Sequence, residues 1–414
     1  MHMSPTLEFE DALNSNPESL ADQLWIRLDT GSWPFDIAQL PEGTVLVGGA
    51  VRDALLNRLK AKPDLDFVVP KNAIQVTTNL AREIGGSSFV LDINRDMARL
   101  TWEGWTFDFA SQIGISIEDD LFRRDFTINS IALTLKNEHL ILDPTGGIKD
   151  LLGKKLRAVS ERNLFEDPLR PLRGMRLMAD LELAIESETR TFIKTSARFL
   201  RNIAPERIQS ELQRIVSVPN ADQAISLIQS FDFLDLWKED SSISLRKMPT
   251  FSDAKCLNHN ELKFALPLLR LSHLISNDGL NYLRFSKQER RRCKLLKYWL
   301  NLYDESSFAT LSEDNRFSLH KDLEEFLPAL ILYLAPKQKD IWLRRWRDNN
   351  DPLFHPRSPL DGNILKNVLS CSPGPALGEL MNYLSIERAF GRLQSREEAL
   401  QIASEWKIHK EHSL

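Results

Sequence analysis

The 414-residue sequence has little cysteine and no long apolar run. Its three cysteines, Cys256, Cys293 and Cys371, are odd in number and far apart, which argues against a disulfide framework and against a cysteine-ligated zinc site. No apolar stretch reaches the roughly 18 residues of a membrane span, and no signal peptide is visible at the N-terminus. We therefore expect a cytoplasmic protein without a membrane partner.

Low-complexity tracts and repeats of fixed period are also missing. The hydrophobic share of 42% and the charged share of 27% are those of a globular chain with cores of ordinary size. Up to about residue 155 the pattern alternates between strands and helices, and from about residue 160 it is almost entirely helical. The sequence therefore predicts an α+β fold with a mixed head and an all-helical remainder.

A strand, a pair of glycines and a helix open the mixed region. Residues 44–47 have the pattern of a buried strand, and residues 50–59 that of a helix with one apolar face. Gly48 and Gly49 between them allow a tight turn, where backbone N–H groups and the helix N-terminus can approach a triphosphate. No Gly-Lys-Ser/Thr follows, so this is not a Walker loop, and the contact with a cation must come from carboxylates.

Those carboxylates lie in the next predicted strand, where Asp64 and Asp66 alternate. Residues i and i+2 of a strand share a face, so both side chains project the same way. Hard cations such as Mg2+ are usually held by one or two carboxylates together with substrate phosphates. Asp108 is a third candidate, because it lies on the polar side of the predicted strand 105–110. The pattern predicts a metal-dependent phosphate-transfer site.

Three further motifs follow in order. Residues 120–129 contain an Arg-Arg-Asp sequence, residues 143–151 contain a Gly-Gly pair, and residues 166–170 read Glu-Asp-Pro-Leu-Arg. Together with Gly-Gly-x-Val-Arg-Asp at 48–53 and Asp-x-Asp at 64–66, they resemble the motifs of the class II tRNA nucleotidyltransferases and the related bacterial poly(A) polymerases. Residues 205–212 resemble the last neck motif of that family, and residues 373–378 more loosely resemble its tRNA-holding region.

The resemblance implies a polymerase-β-like nucleotidyltransferase head followed by all-helical neck, body and tail domains. It also implies Mg2+-dependent addition of nucleotides from CTP or ATP to the 3′ end of tRNA, with release of pyrophosphate. We place an N-terminal helical extension at 1–40, the head at 41–155, the neck at 156–220, the body at 221–350 and the tRNA-binding tail at 351–414. The residues it implies are Asp64, Asp66 and Asp108 for catalysis, with Asp64 and Asp66 as metal ligands, and Gly48, Gly49, Arg52, Arg123, Arg124, Asp125, Asn129, Asp167, Arg170, Arg173 and Arg176 for nucleotide binding.

The arginine pair has an alternative interpretation. Ser116 can cap a helix, which places Arg123 and Arg124 near the far end of that helix, where they can face phosphate or ribose. Without the neighbouring motifs, an ion-paired helix face with Asp119 and Asp120 would be the favoured interpretation.

Residues 166–170 bear on the choice of base. Cytosine and adenine present an amino donor beside a ring-nitrogen acceptor, and guanine and uracil present the reverse order. A carboxylate accepts and a guanidinium donates, so Asp167 with Arg170 can match cytosine and adenine. In the family these positions act as a protein template for the incoming nucleotide. Pro171 and Gly174 depart from the good helix formers usual there, so we expect the helix to begin later or to bend.

Arg173 and Arg176 continue the arginine stripe at a spacing of three. They either support the template carboxylate or contact phosphate, or they pair with Glu166 or Asp180. The spacing leaves these alternatives open.

A basic run contrasts with the formal net charge of -5. Residues 281–300 carry seven basic side chains and one acidic one, and Arg290, Arg291 and Arg292 lie at their centre. Such a surface can bind a phosphate backbone on a protein that is acidic overall. We assign the three arginines to RNA binding, with a solvated helix face as the alternative.

The segment between Asp108 and Glu118 is short. Relatives that add A or full CCA typically carry a longer mobile loop there, which is thought to switch the template from cytosine to adenine. A short connection leaves little chain for such a lever. We therefore hypothesise addition of CC alone, with a separate A-adding enzyme acting next and no stable protein partner, and we leave full CCA addition open.

Two other functions compete with this one. The first is a poly(A) polymerase that acts on general RNA with ATP alone. The second is an RNA-binding protein with an inactive head. The intact acidic cluster argues against the second, because carboxylates that repel one another without a metal could otherwise be lost.

Overall fold

The computed structural model describes residues 17–239, 247–302, 308, 310–369 and 374–411. The chain divides into two compact units, Met1–Ile203 and Ala204–Leu414. All described strands lie in the first unit, and the described part of the second unit is helical. This confirms the predicted α+β class. The division falls inside the segment 156–220, and the five domain boundaries stay a prediction. Residues 1–16 of the expected N-terminal extension and residue 373 of the tail motif lie outside the described residues.

The first unit is built around one mixed sheet. Its strands are β1 (Val45–Val47), β2 (Asp64–Val69), β3 (Ser87–Asp92), β4 (Met97–Trp102), β5 (Trp105–Ser111), β6 (Ala132–Thr134) and β7 (Ile141–Leu142). Their order in the sheet is β3-β4-β5-β2-β1-β6-β7. Only β2 and β5 pair in parallel among these seven strands. Helices α1 (Pro17–Leu28), α2 (Gly49–Leu55), α3 (Ala73–Ile84) and α4 (Ile117–Leu121) accompany the sheet.

The remainder of the first unit is mainly helical and carries the last motif. It contains α5 (Gly147–Leu152), β8 (Lys155–Leu156), α6 (Glu161–Glu166), α7 (Leu169–Leu181), β9 (Ala184–Ile185) and α8 (Ser187–Ser196). Strands β8 and β9 form a separate two-stranded parallel sheet.

One face of the large sheet is aromatic and buried. Phe67 on β2 stacks on Phe109 on β5 at 4.8 Å, and Phe35, from the segment before β1, covers Phe107 at 5.0 Å. Fully burying one such ring contributes roughly 1.5–3 kcal/mol. Because side chains alternate along a strand, this packing fixes which face of β2 and β5 carries the aspartates.

The opposite face is covered only in part. Val45, Val47, Val68 and Ala132 form a small cluster there, which is closed by Leu121 at the end of α4. The packing of α4 brings the arginine pair that follows it to the face that carries the aspartates.

Helix α2 is shorter than predicted. It ends at Leu55 rather than at residue 59. Asn57 adopts a left-handed conformation with φ 51°, and the N–H of Arg58 donates to the carbonyl of Asp53 at 2.9 Å. These contacts form a Schellman cap, which satisfies the last helical carbonyls and turns the chain toward β2. The apolar stripe that extended the prediction continues past the point where the backbone leaves the helix.

The second unit is a set of packed helices. They are α9 (Pro205–Ser217), α10 (Asp222–Ser230), α11 (His259–Leu274), α12 (Asn277–Tyr282), α13 (Lys287–Leu302), α14 (Glu313–Leu323), α15 (Leu327–Ile331), α16 (Pro336–Arg347), α17 (Gly362–Leu369), α18 (Pro375–Ala389) and α19 (Arg396–Glu411). The last three share a core around Leu365, Leu384 and Ala399. None of the described helices is long and apolar enough to cross a membrane.

Candidate active site

The three aspartates predicted to be catalytic lie on one face of the sheet. In the parallel pairing of β2 with β5, Asp66 lies opposite Asp108, and Asp64 lies opposite Thr106. Neighbouring strands are about 4.8 Å apart, so the carboxylates of Asp66 and Asp108 project side by side. Asp64 is exposed and Asp66 is half-buried. The result is a concentration of negative charge at the N-terminal end of β2.

The pKa of Asp66 lies well above its usual value. Burial raises its pKa to about 6, and the neighbouring carboxylates of Asp108 and Asp64 act in the same direction. Arg124 and Arg173 oppose this shift without cancelling it. Ionisation of Asp66 is therefore unfavourable in the folded protein, and a cation beside the carboxylate would make it more favourable.

Gly48 allows the chain to pass close to Asp66. It has φ 75°, a region that favours glycine. A Cβ atom at this position would lie 3.3 Å from Oδ2 of Asp66 and 3.6 Å from Nη1 of Arg124. The glycine is thus needed for its backbone conformation, and it lies between the carboxylate and the arginine predicted to bind nucleotide.

Asp108 has a partner that the sequence did not indicate. Arg99 on β4 donates from Nε to Oδ1 and from Nη2 to Oδ2 of Asp108, each at 2.7 Å. The two residues are register partners in the antiparallel pairing of β4 with β5. Both carboxylate oxygens of Asp108 are therefore bound by one guanidinium.

The donor set suits a magnesium ion. Among the described residues, no group of three or more His, Cys, Asp or Glu side chains is arranged to hold a metal. Asp64 and Asp66 nevertheless supply the one or two carboxylates by which proteins usually hold Mg2+ together with substrate phosphates. The raised pKa of Asp66 supports this fit, because an anion that the fold disfavours gains most from a cation.

A chain of hydrogen bonds links the glycine turn to the arginine stripe. Arg52 donates from Nη1 to Oδ1 of Asn129 at 2.6 Å, and Asn129 donates from Nδ2 to Oδ1 of Asp125 at 3.0 Å. Arg173 on α7 donates to Oδ2 of Asp125 at 3.2 Å. Burial alone would raise the pKa of Asp125, but Arg173 and Asn129 outweigh it, and the pKa lies below its usual value. Asp125, 5% exposed, therefore connects the predicted nucleotide-binding residues.

Asn163 and Arg170 hold the backbone of the arginine pair. The side chain of Asn163 donates from Nδ2 to the carbonyls of Phe122 and Arg124, at 2.8 and 2.7 Å. Arg170 donates from Nη1 to the carbonyls of Arg123 and Asn163, at 2.8 and 3.0 Å. Asn163 was not predicted from the sequence, where it is an ordinary helical residue, and its role depends on contacts more than 30 residues away along the chain.

The template pair sits at the start of α7. The carboxylate of Asp167 accepts from the N–H of Leu169 at 3.1 Å. Burial lowers the pKa of Arg170. Only Nη1 of Arg170 makes the described hydrogen bonds, so Nε and Nη2 make no bond to another described residue. The anchored guanidinium can donate to a base from those two atoms.

Glu166 and Asp180, considered in the sequence as partners of Arg173 and Arg176, each pair with another arginine. Glu166 pairs with Arg162 at 2.8 Å, and Asp180 pairs with Arg58 at 3.0 Å. The described partner of Arg173 is Asp125 instead. Arg176 lies one turn further along α7 and is half-buried.

The expected late start of α7 is wrong. The helix begins at Leu169, so Pro171 falls in its first turn, where a backbone N–H has no partner within the helix. Gly174 is required by packing, because a Cβ atom there would lie 2.6 Å from Cζ of the buried Phe126. Gly174 thus permits a close approach of α7 to Phe126, which brings the template helix against Asp125.

The connection from β5 to α4 is short and hydrogen-bonded. It spans the residues between Ser111 and Ile117. Ser116 caps α4, as the sequence predicted, and also forms a capping box with Asp119. Oδ2 of Asp119 accepts from the N–H groups of Ile115 and Ser116 at 2.9 and 3.1 Å. Oδ1 of Asp120 accepts from the N–H of Ile113 at 3.2 Å.

Both interpretations of the arginine pair find support in the contacts. Arg124 donates to Asp120 at 3.0 Å, one turn of helix away, as the ion-paired interpretation requires. The same side chain faces Asp66 across Gly48, and its Nε makes no hydrogen bond although it is buried among the described residues. Arg124 therefore combines an ion pair with an unused donor at the acidic cluster.

The basic run occupies α13 and the residues before it. Arg291 is exposed, whereas Arg292 stacks on the ring of Phe326 at 3.7 Å and is only 26% exposed. Arg290 donates to Asn281. With Arg284 and Lys287, Arg290 lines a cavity of about 730 Å³. The basic surface available to a ligand thus extends toward residue 284 rather than toward residue 292.

Known proteins resemble this chain over most of its length. Residues 44–157 match the family model of the "Poly A polymerase head domain", and residues 171–238 match that of the "Probable RNA and SrmB- binding site of polymerase A". A CC-adding tRNA nucleotidyltransferase of Synechocystis is 32% identical over 401 residues, which cover 90% of this chain and 95% of the relative. An A-adding tRNA nucleotidyltransferase of Deinococcus radiodurans is 38% identical over 201 residues, which cover 47% of this chain and 45% of the relative.

A solved structure shares the fold. The CCA-adding enzyme of Bacillus stearothermophilus, in complex with CTP, superposes with a TM-score of 0.65 and 20% identity, over 96% of this chain and all of that one. The fold of this chain is thus a known one.

Proposed function

The chain belongs to the family of class II tRNA nucleotidyltransferases and poly(A) polymerases, and on that basis we propose that it adds two cytidines to the 3′ end of tRNA. The substrate is CTP and the second product is pyrophosphate. Similarity to a CC-adding relative, 32% identical over 90% of the chain, supports this proposal.

The observation that carries the restriction to CC is the connection between β5 and α4. Three of its backbone N–H groups, those of Ile113, Ile115 and Ser116, are bound by carboxylates of α4. Because this segment is short and its N–H groups are hydrogen-bonded, it cannot undergo a conformational change that would shift α7 after two additions. We infer that a separate A-adding enzyme completes the 3′ end.

The acidic face would hold the reacting groups. Asp64 and Asp66 are the ligands for Mg2+, and Asp108 is the third carboxylate beside them. When bound, Mg2+ neutralises the triphosphate and lowers the pKa of the attacking hydroxyl. Gly48 lets the triphosphate approach the backbone, and the unused Nε of Arg124 is a donor for a phosphate oxygen.

Base choice would lie with Asp167 and Arg170. The carboxylate accepts from the amino group of cytosine, and the guanidinium donates to its ring nitrogen and carbonyl. The carbonyls of Asn163 and Arg123 bind Nη1 of the guanidinium, so its other donors keep their orientation while one nucleotide replaces another. Uracil presents an N–H where Arg170 also donates, and this mismatch rejects UTP.

The tRNA would lie partly against the basic surface of the second unit. Arg284, Lys287 and Arg290 line one cavity, and Arg291 extends this surface along α13. Guanidinium and ammonium groups grouped in this way suit the phosphates of an RNA backbone.

The test supplies tRNA lacking its last three nucleotides with each nucleoside triphosphate in turn and resolves products at single-nucleotide length. We expect two additions with CTP and none with UTP or GTP. A generic RNA with ATP is the parallel substrate. Efficient extension of that RNA would support the poly(A) polymerase instead, and tRNA binding without any extension would support an inactive head.

A further inference from the structure

Arg99 occupies the place at the acidic cluster where a cation would otherwise act on Asp108. Its Nε and Nη2 bind the two oxygens of Asp108 at 2.7 Å each. Such a fork is the strongest pairing that a guanidinium and a carboxylate can make, and it leaves neither oxygen without a donor. The bond to Asp108, and the charges of Asp108, Asp64 and Asp66, raise the pKa of Arg99.

Asp108 is also placed to serve a metal. It lies opposite Asp66 on neighbouring parallel strands and projects from the same face. A divalent cation held by Asp64 and Asp66 would therefore have the carboxylate of Asp108 within about one strand spacing. The guanidinium and the divalent cation would then act on the same two oxygens.

The ion pair can open without unfolding the sheet. The side chain of Arg99 is 43% exposed and that of Asp108 is 22% exposed. When the pair opens, water solvates the freed guanidinium and the metal contact replaces its bonds to Asp108, which offsets the loss of the ion pair. Arg99 can swing into solvent on its flexible stem while β4 and β5 stay paired.

We propose that Arg99 and the divalent cation compete for Asp108, so that Arg99 sets the affinity of the nucleotide-free enzyme for its metal. Arg99 is then a positioning residue. It holds Asp108 in the metal-free state and releases it to the metal when the site fills. The inference rests on the proposed function only in taking the cluster to be a metal site.

The experiment measures Mn2+ binding by electron paramagnetic resonance on the full chain, without nucleotide or tRNA. It uses the wild type, Arg99→Gln, Asp108→Asn and the double variant. Arg99→Gln should bind Mn2+ about tenfold more tightly, because it frees Asp108 and removes a positive charge. Asp108→Asn should lower the affinity for Mn2+ about twofold when Arg99 is present and about tenfold when Arg99 is replaced by Gln. Asp108 is fully available to the metal only in the second case.

The dependence of one substitution on the other is the decisive result. Pure through-space electrostatics would make the two effects additive, and a structural role for Arg99 would leave Mn2+ affinity unchanged or lower it. Equal costs of Asp108→Asn in both backgrounds, or weaker binding by Arg99→Gln, would overturn the proposal. Arg99→Lys, which keeps the charge but loses the fork, should lie between the wild type and Arg99→Gln.

A matched control comes from the same hairpin. Arg95 is 63% exposed and pairs with Asp92 at the turn, away from the cluster. Arg95→Gln should leave Mn2+ affinity unchanged, and a change as large as that of Arg99→Gln would mean that general charge, not competition, sets the affinity. Nucleotide incorporation is assayed separately. If incorporation fails while the two substitutions remain coupled, the proposed function is refuted and the competition stands.

Discussion

Replacing Asp66 by asparagine should stabilise the metal-free protein at neutral pH while ending its activity. The pKa of Asp66 is raised from 3.8 to about 6, chiefly by burial and then by Asp108. Each unit corresponds to about 1.4 kcal/mol, so ionised Asp66 costs the fold about 3 kcal/mol. This is an upper limit, since Asp66 is half-buried and ions in the buffer screen it, and a gain of about 1–3 kcal/mol is expected.

The pH dependence follows from the sign of the shift. A carboxyl group whose pKa is raised in the folded state stabilises the fold fully below pH 3.8, and that contribution is lost as the pH rises through about 6. Asparagine does not ionise. The advantage of Asp66→Asn should therefore be largest above pH 6, fall to about half near pH 5, and vanish below about pH 4.

The assay is urea denaturation in EDTA at pH 7.5 and pH 5, followed by tryptophan fluorescence. Asp108→Asn is the matched control: it removes one carboxylate beside Asp66 but also the ion pair with Arg99, so it should bring a smaller gain than Asp66→Asn. Added Mg2+ should narrow the gap between the wild type and Asp66→Asn, because a bound cation relieves the same repulsion. If Asp66→Asn is no more stable than the wild type in EDTA at pH 7.5, burial and neighbouring charges do not destabilise ionised Asp66, and the prediction is wrong.

Four further outcomes follow from the same geometry. Asp64→Ala should lower incorporation about a thousandfold or more and leave tRNA binding within a few fold in a filter-binding assay, and retained turnover would remove its metal role. Arg170→Ala should reduce the preference for CTP over UTP by about 10- to 100-fold in single-turnover kinetics, whereas an equal loss for both nucleotides would mean a structural role. In thermal unfolding, Gly174→Ala should lower the free energy of unfolding by about 1–3 kcal/mol, because its Cβ would overlap the buried ring of Phe126. Gly378→Ala is the control and should cause no such loss, because a Cβ at that helix position meets no other atom. Neutralising 290–292 should weaken tRNA binding and lower its salt slope by about one unit per lost phosphate contact, and an unchanged slope would favour the solvated-face interpretation.

The sequence predicts the parts of this site that depend on local periodicity. Alternation along a strand is enough to place Asp64 with Asp66 and to put Asp108 on the polar side of its own strand. The cap at Ser116 is likewise a local pattern. These features need no knowledge of which strands pair.

Other features depend on contacts that the sequence does not encode locally. The pairing of Arg99 with Asp108 follows from the register of β4 on β5, and the contacts of Asn163 follow from the packing of α6 on the segment after α4. From the sequence alone, Gly174 predicts only a weakened helix. Its role in packing depends on the ring of Phe126, which lies against it in the structure. In each case, long-range packing decides what a residue does.

We expect the purified protein to add two cytidines to the tRNA 3′ end and then to stop. The most direct measurement supplies CTP and ATP together with tRNA lacking CCA and sequences the product ends. We expect products that end in CC, which become CCA only when an A-adding enzyme is also supplied. Products that end in CCA, made by this protein alone, would contradict this prediction.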